Sequence, residues 1–304
     1  MSTQRTPEPD SASLEQRFRS LKVWQRGSER APNKPLLVLL ALGALSRGQE
    51  SLPFDEVEPK LRALLKEFGP TRRSVHPEYP FWRLQADKLW VVEADAPLTA
   101  RAGNVDPTLA SLRAVNARGA FPADVRLLLQ ERPDAIATVA AEVLEANFPE
   151  TLHQDILDAV GLSVQTTVVT KRRRDPNFRG AVMVAYQYRC ALCGLDLRVG
   201  SLTVGLEAAH IKWHQAAGPD SVDNGIAMCA LHHKLFDFGA FTVDTGNRVL
   251  VSEQVNGSAQ VEAVLLRHHG IEMAVPRRQD EHPNPAFLDW HLREVFKERA
   301  LPAR

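Results

Sequence analysis

Cys190-Ala-Leu-Cys193, Glu207-Ala-Ala-His210-Ile, Asn224-Gly225 and Cys229-Ala-Leu-His232-His233-Lys-Leu-Phe-Asp237 follow one another between residues 190 and 237. This segment holds all three cysteines of the chain. A two-residue gap lets a pair of thiolates chelate one ion from a tight knuckle, while a second pair arrives from elsewhere in the fold. Cys190 and Cys193 make the first pair. Cys229 and His232 repeat the gap, with imidazole as the common substitute for a fourth thiolate. The spacing predicts a Cys3His tetrahedron around a structural Zn²⁺. Three buried free cysteines, packed as small hydrophobes, are the plain alternative, but a scattered trio would not reproduce paired gaps. A disulfide fits less well, because the number is odd and no secretory signal pattern is present.

Neighbouring residues on a helix point about 100° apart. With His232 on the zinc, His233 therefore faces a different site. His210 and Asn224 are 14 residues apart, and Asn224 and His233 are 9 apart. Over roughly residues 186–250 this arrangement resembles the HNH endonucleases, the ββα-metal nucleases. The runs Glu207–Trp213, Asn224-Gly225 and His233–Gly239 resemble the restriction-type, McrA-like subgroup. The resemblance implies phosphodiester hydrolysis with His210, Asn224 and His233 as the catalytic set. An imidazole titrates near neutrality and can take a proton from water attacking phosphorus, which makes His210 the general base. The Asn224 amide would orient that imidazole or hold the strand hairpin together. His233 and Asp237, one helical turn apart on one face, would hold a single Mg²⁺ or Mn²⁺ that stabilises charge on the scissile phosphate. Many family members carry a metal ligand immediately before the base, where this chain has Ala209, so its ligand set is open. Glu207 has the opposite strand parity to His210 and is not counted as a ligand.

Length and charge are consistent with this reading. The 304 residues and 44% hydrophobic content predict two domains with separate cores. Lysine plus arginine and aspartate plus glutamate number 37 each, so any grip on DNA is local. The most apolar run, Leu36–Leu45, is about half the roughly 20 residues that a membrane helix needs. Met1 to Ser11 is polar, contains prolines and lacks a signal pattern, which predicts a disordered tail (residues 1–11) on a cytoplasmic protein.

Apolar spacing predicts helices over 13–26, 34–47, 55–68, 106–117, 122–131, 133–147 and 151–159. Between them, Gly69–Pro80 reads as a basic, proline-broken loop. It leads into a hairpin of strands Phe81–Gln85 and Lys88–Glu93. Residues 161–176, ending in the cationic run Lys171–Arg174, read as a linker that touches phosphates. The second domain, 177–304, starts with a helix at 177–187. It continues past the nuclease segment to a strand at 248–253 and a closing helix at 287–298.

The run Trp24–Leu42 and the later Arg72-Arg73-Ser-Val-His76-Pro-Glu-Tyr79-Pro80-Phe-Trp-Arg-Leu resemble the sulfur-binding domains that accompany HNH nucleases in phosphorothioate-dependent restriction enzymes. That resemblance spans about residues 12–150 and implies a modified-DNA reader over residues 12–160. Its substrate would be double-stranded DNA carrying sulfur in place of a non-bridging backbone oxygen. Sulfur is larger and less strongly hydrated than oxygen, so an apolar cup of the Tyr79 ring and Pro80 would favour it. Arg72, Arg73 and His76 would hold neighbouring phosphates or reach guanine edges. Asn33, Lys34 and Arg101 are further candidates for that surface. The plain reading of Tyr79-Pro80 is a packing corner.

The expected architecture is α+β: a mainly helical N-terminal domain with a small β-hairpin, then a ββα-metal domain with a zinc knuckle. The expected activity is that of a type IV-like restriction endonuclease using one metal. Two other readings stand beside it: a catalytically silent zinc-containing DNA-binding regulator, and an HNH nuclease that reads a different modification. One active site per chain suggests a homodimer for duplex cleavage.

Overall fold

The computed structural model describes residues 11–23, 29–98, 106–162 and 176–302. The expected disordered tail falls on residues 1–11, of which only Ser11 is described. The cationic linker run and Arg101 lie outside the described residues. In the N-terminal half the elements run α1 (Ser11–Arg19), α2 (Asn33–Ser46), β1 (Leu52–Pro53), α3 (Phe54–Phe68), α4 (Glu78–Arg83), β2 (Val91–Glu93), α5 (Leu109–Ala114), β3 (Arg118–Ala120), α6 (Ala123–Glu131), α7 (Pro133–Asn147) and α8 (Glu150–Val160). In the C-terminal half they run α9 (Pro176–Ala185), β4 (Arg198–Val199), β5 (Leu202–Thr203), β6 (Leu206–His210), β7 (Gly225–Cys229), α10 (Ala230–Asp237), β8 (Phe241–Val243), β9 (Val249–Val251), α11 (Gln260–Val264) and α12 (Pro285–Glu294).

Helix α2 is apolar on every side, and all its residues from Pro35 to Leu45 are buried. A helix with no polar stripe must lie at the centre of its domain, and α2 packs against α3, α4, α7 and α8. Pro35 sits in its first turn, where a missing N–H removes no helical bond. Gly43 allows α8 to approach, because a Cβ there would lie 2.3 Å from the Val160 carbonyl oxygen. Arg47 then caps α8, donating to the carbonyls of Val160 (3.1 Å) and Gly161 (2.6 Å).

The α+β class holds, but the expected hairpin does not form. Residues 78–83 are helical, Leu84–Asp87 continue as a 3-10 turn, and only Val91–Glu93 is extended. Pro80 falls in the first turn of α4, where proline is tolerated. The aromatic content that suggested a strand instead fills the core. Phe81 is fully buried, with ring centroids 4.8 Å from Phe54 and 5.8 Å from Trp90. Tertiary packing outweighs β-propensity over so short a run. The strand β2 pairs with β3, a strand the apolar pattern does not reveal, and β3 pairs with β1 on its other side.

In the C-terminal half β6 and β7 form an antiparallel pair, Leu206 opposite Cys229 and His210 opposite Gly225. Helix α10 follows β7 directly, giving a ββα unit, with α9 and α10 both packed on β6. The two halves meet extensively. Trp213, Trp290 and Val295 join the hydrophobic core of the N-terminal half, and the guanidinium of Arg30 lies 3.8 Å over the Trp213 ring. Among the described residues no helix is long and apolar enough to cross a membrane.

Candidate functional site

The ligand atoms of Cys190, Cys193, Cys229 and His232 all lie within 4.8 Å of one another. Their backbone comes from three places: the knuckle after α9, the end of β7, and the first turn of α10. The His232 Nδ1 faces the Sγ atoms of Cys229 (3.2 Å) and Cys190 (3.5 Å). On the far side of the ring, Nε2–H donates to the Val264 carbonyl at 2.9 Å. A carbonyl behind the imidazole fixes the tautomer that presents Nδ1 to a metal, the usual outer support of a ligating histidine. The thiols compete for negative charge: hydrogen bonds from Cys193 and Cys229 drive Cys190 down, while Cys193 and Cys229 are driven up. Three sulfurs and a neutral imidazole nitrogen in this packing match the donor set of a tetrahedral metal site.

His210 ends β6. Its ring stacks on Phe178 of α9, with centroids 4.2 Å apart, and its Nε2 lies 2.8 Å from Asp220 Oδ1. Asn224 is fully buried and is tied to backbone rather than to the His210 imidazole. Its Oδ1 accepts from the Lys212 N–H (2.8 Å), and its Nδ2 donates to the carbonyls of Lys212 (3.0 Å) and Pro219 (2.9 Å). Of the two roles open from the sequence, the geometry matches the one that holds the hairpin. These bonds close the loop carrying Asp220 back onto the residue after Ile211. Gly218 permits the closure, since a Cβ there would sit 1.8 Å from the Lys212 carbonyl oxygen.

His233 points away from the thiols. Its Nδ1 is 2.6 Å from Glu207 Oε2, and its Nε2 is 3.2 Å from Asp237 Oδ2. Burial opposes charge on this ring, but Asp237 and then Glu207 outweigh it and hold the imidazole up to about 9. Asp237 is buried and also accepts a hydrogen bond from the Thr151 hydroxyl of α8. Burial disfavours its charged form and works to raise its pKa, yet His233 and then Thr151 keep the carboxyl below its usual range. The two carboxylates thus flank the ring differently, Asp237 from the interior and Glu207, half of whose side chain is exposed, from the open side. His153 and His291 are satisfied structural histidines: His153 Nε2–H donates to Phe148 O, and His291 is stacked on Phe236 and pushed down to about 3 by burial.

The N-terminal candidates are only partly together. Tyr79 of α4 is half-buried, stacked against His76 (4.7 Å) with the Arg83 guanidinium 4.7 Å over its ring. Pro80, next along the helix, is buried. His76 is held by Ser74 Oγ (2.8 Å) and Glu78 Oε1 (2.9 Å). Arg72 and Lys34 already have acidic partners. Arg72 donates to both carboxylate oxygens of Glu294 in α12, at 3.0 and 3.2 Å, and Lys34 pairs with the buried Asp87. Arg73 is exposed, and Asn33 opens α2.

Comparison with known proteins assigns both halves. Residues 11–165 match the ScoMcrA-like, DNA sulfur-binding domain family. The chain belongs to that family. Residues 190–244 match the HNH endonuclease family, so the sulfur-binding domain is joined to a DNA-hydrolysing nuclease domain. No curated protein matches the chain. Among solved structures, the sulfur binding domain of ScoMcrA complexed with phosphorothioated DNA is 28% identical over 49% of this chain and 94% of that one, with a TM-score of 0.42. The sulfur binding domain of SprMcrA complexed with phosphorothioated DNA is 24% identical over 50% of this chain and 94% of that one, with a TM-score of 0.41. The type IV phosphorothioation-dependent restriction endonuclease ScoMcrA is 28% identical over 48% of this chain, with a TM-score of 0.41; the match spans only 32% of its length.

Sequence reasoning about the HNH domain missed Asp220, Phe178 and Thr151, and it set Glu207 aside. The parity argument was sound: Glu207 and His210 do lie on opposite faces of β6. That puts Glu207 on the face toward α10, where His233 stands, while His210 faces α9. Glu207 also shares its face with Ala209, two residues on. Asp220 and Thr151 carry no spacing signal, because a loop closure and a contact between the two halves bring them in.

Proposed function

We propose that the chain is a modification-dependent restriction endonuclease that binds phosphorothioated DNA through its sulfur-binding domain and hydrolyses the backbone with one metal in the HNH domain. The observations that carry the catalytic half are two pairings on β6, His210 with Asp220 at the strand end and His233 with Glu207 on the other strand face, which also bears Ala209. Asp220 at Nε2 orients the His210 imidazole, which titrates near neutrality as a free side chain and can take a proton from the attacking water. Asn224 keeps the loop bearing Asp220 in place.

The donor set suits a hard divalent cation with few protein ligands and several waters. His233, through Nδ1, and Glu207 would hold it, the Glu207 carboxylate standing in for the ligand that Ala209 lacks. Mg²⁺ or Mn²⁺ bound there would stabilise charge on the scissile phosphate and the departing 3′ oxygen. In this reading Asp237 orients the ring from behind by accepting from Nε2–H, which replaces the expectation that it ligates the ion. Glu207→Gln removes one anionic ligand, so Mn²⁺ affinity measured calorimetrically on the DNA-free protein should fall about tenfold or more. Unchanged affinity would remove Glu207 from the ligand set. The Cys3His cluster would hold a structural Zn²⁺.

In the sulfur-binding domain the reading is supported by the half-buried Tyr79, whose ring stacks with His76 and lies under the Arg83 guanidinium. An apolar wall next to cations suits a polarizable sulfur on an anionic backbone. Two otherwise identical duplexes, with and without one backbone sulfur, test it at a stated salt concentration. The sulfur-bearing duplex should bind more tightly and be cut only when Mg²⁺ or Mn²⁺ is added. Equal affinity for the two would remove the sulfur specificity and leave the nuclease.

A further inference from the structure

We propose that Thr151, a residue of the sulfur-binding domain, is a positioning residue of the nuclease centre: its hydroxyl holds the Asp237 carboxylate that orients His233. The inference rests on the assignment of His233 as the metal-binding imidazole. Thr151 lies within residues 11–165, the span of the sulfur-binding family, and Asp237 closes the ββα unit of the HNH domain. The contact therefore joins two domains across 86 residues of sequence.

Asp237 is 2% exposed. A buried carboxylate that loses a hydrogen-bond donor is strongly disfavoured, so each donor it has matters to its orientation. The donors recorded for it are the His233 ring, at 3.2 Å on Oδ2, and the Thr151 hydroxyl on the same oxygen. Thr151 belongs to the first turn of α8, where the positive end of the helix dipole also favours an anion.

A second contact keeps the helices in register. Asp155, one turn beyond Thr151 on α8, pairs with Lys234 of α10 at 2.9 Å. Residues four apart on α8 thus meet residues three apart on α10, which is how two packed helical faces present their side chains. This pin constrains α10 along its axis, and with it the first turn that carries His233. The nuclease centre is then completed by the domain that reads the DNA. A metal-ligating histidine needs the partner on its other nitrogen, and loss of such outer partners typically lowers metal affinity by about 10–100-fold.

The test uses the full-length, zinc-loaded protein without DNA, titrated with Mn²⁺ and followed by electron paramagnetic resonance. Thr151→Val, which keeps the shape and removes the hydroxyl, should weaken Mn²⁺ binding about tenfold. Thr151→Ser, which keeps the hydroxyl, should bind within about twofold of the parent, below the range expected for a lost outer partner. Thr151→Ala is measured alongside in case the valine variant does not fold, and it should lose affinity as valine does. Parental affinity in the valine and alanine variants overturns the proposal. So does a serine variant as weak as the valine one at an unchanged melting temperature, since the hydroxyl would then be irrelevant. A parent protein that binds no Mn²⁺ overturns the metal assignment itself, and the proposal with it.

Discussion

His210→Ala is expected to lower the rate of strand cleavage by about 10²–10⁴-fold, the contribution of a positioned general base, while leaving duplex affinity unchanged. The two effects separate because of where the residue stands. His210 is the last residue of β6 and most of its side chain is covered, with Phe178 stacked on the ring and Asp220 at Nε2. Alanine at that position keeps the pairing with Gly225 and the buried Asn224 brace, neither of which involves the imidazole. Tyr79 and its neighbours lie in the other domain. Single-turnover cleavage of a sulfur-bearing duplex measures the first effect, and fluorescence anisotropy on the same duplex measures the second. Cleavage at the parental rate would remove His210 from the chemistry. Loss of binding together with cleavage would point to a folding defect.

Stripping the Cys3His metal, by chelation or by Cys190→Ser, is expected to unfold the ββα unit and abolish cleavage. Structural zinc binding in small domains amounts to about 10–16 kcal/mol, which matches or exceeds the roughly 5–15 kcal/mol that stabilises a whole domain. The four ligands tie the knuckle after α9 to the end of β7 and the start of α10. Among the described residues of this half the apolar core is the smaller of the two, and its strands are at most five residues long, so the cluster is a main tie between α10 and the strands, beside the His233–Glu207 contact. Because His233 follows His232 directly, a displaced first turn carries the His233 imidazole with it. Metal content by mass spectrometry should give one zinc per chain. Differential scanning calorimetry of the stripped protein should show loss or a large downshift of a transition. An unchanged melting profile after complete metal removal would contradict this role for the cluster.

Much of the site was legible in the chain because its signals are local. Paired two-residue gaps pick out the four residues that the fold gathers into one Cys3His cluster, and adjacent imidazoles on a helix must diverge. The long apolar run at Leu36–Leu45 announces a central helix. The same local reasoning failed between Phe81 and Gln85, where aromatic content suggested a strand and contact with Phe54 and Trp90 produced a helix. It gave no sign of the partner of Arg72, a cation expected to hold phosphate. That residue is paired with Glu294, more than two hundred positions away in the sequence.

Spacing and residue chemistry alone determined that a Cys3His cluster and an HNH set share one short segment, and that a mainly helical domain precedes it. Only the tertiary structure decided which carboxylate stands at which nitrogen of His233, that Asn224 braces a loop, and that Thr151 reaches across from the other domain. The physical reason is range. Ligand gaps, helical turns and strand parity act over a few residues and are written in order along the chain. The partners of a buried imidazole or carboxylate are set by which elements pack together, and no spacing along the chain records that.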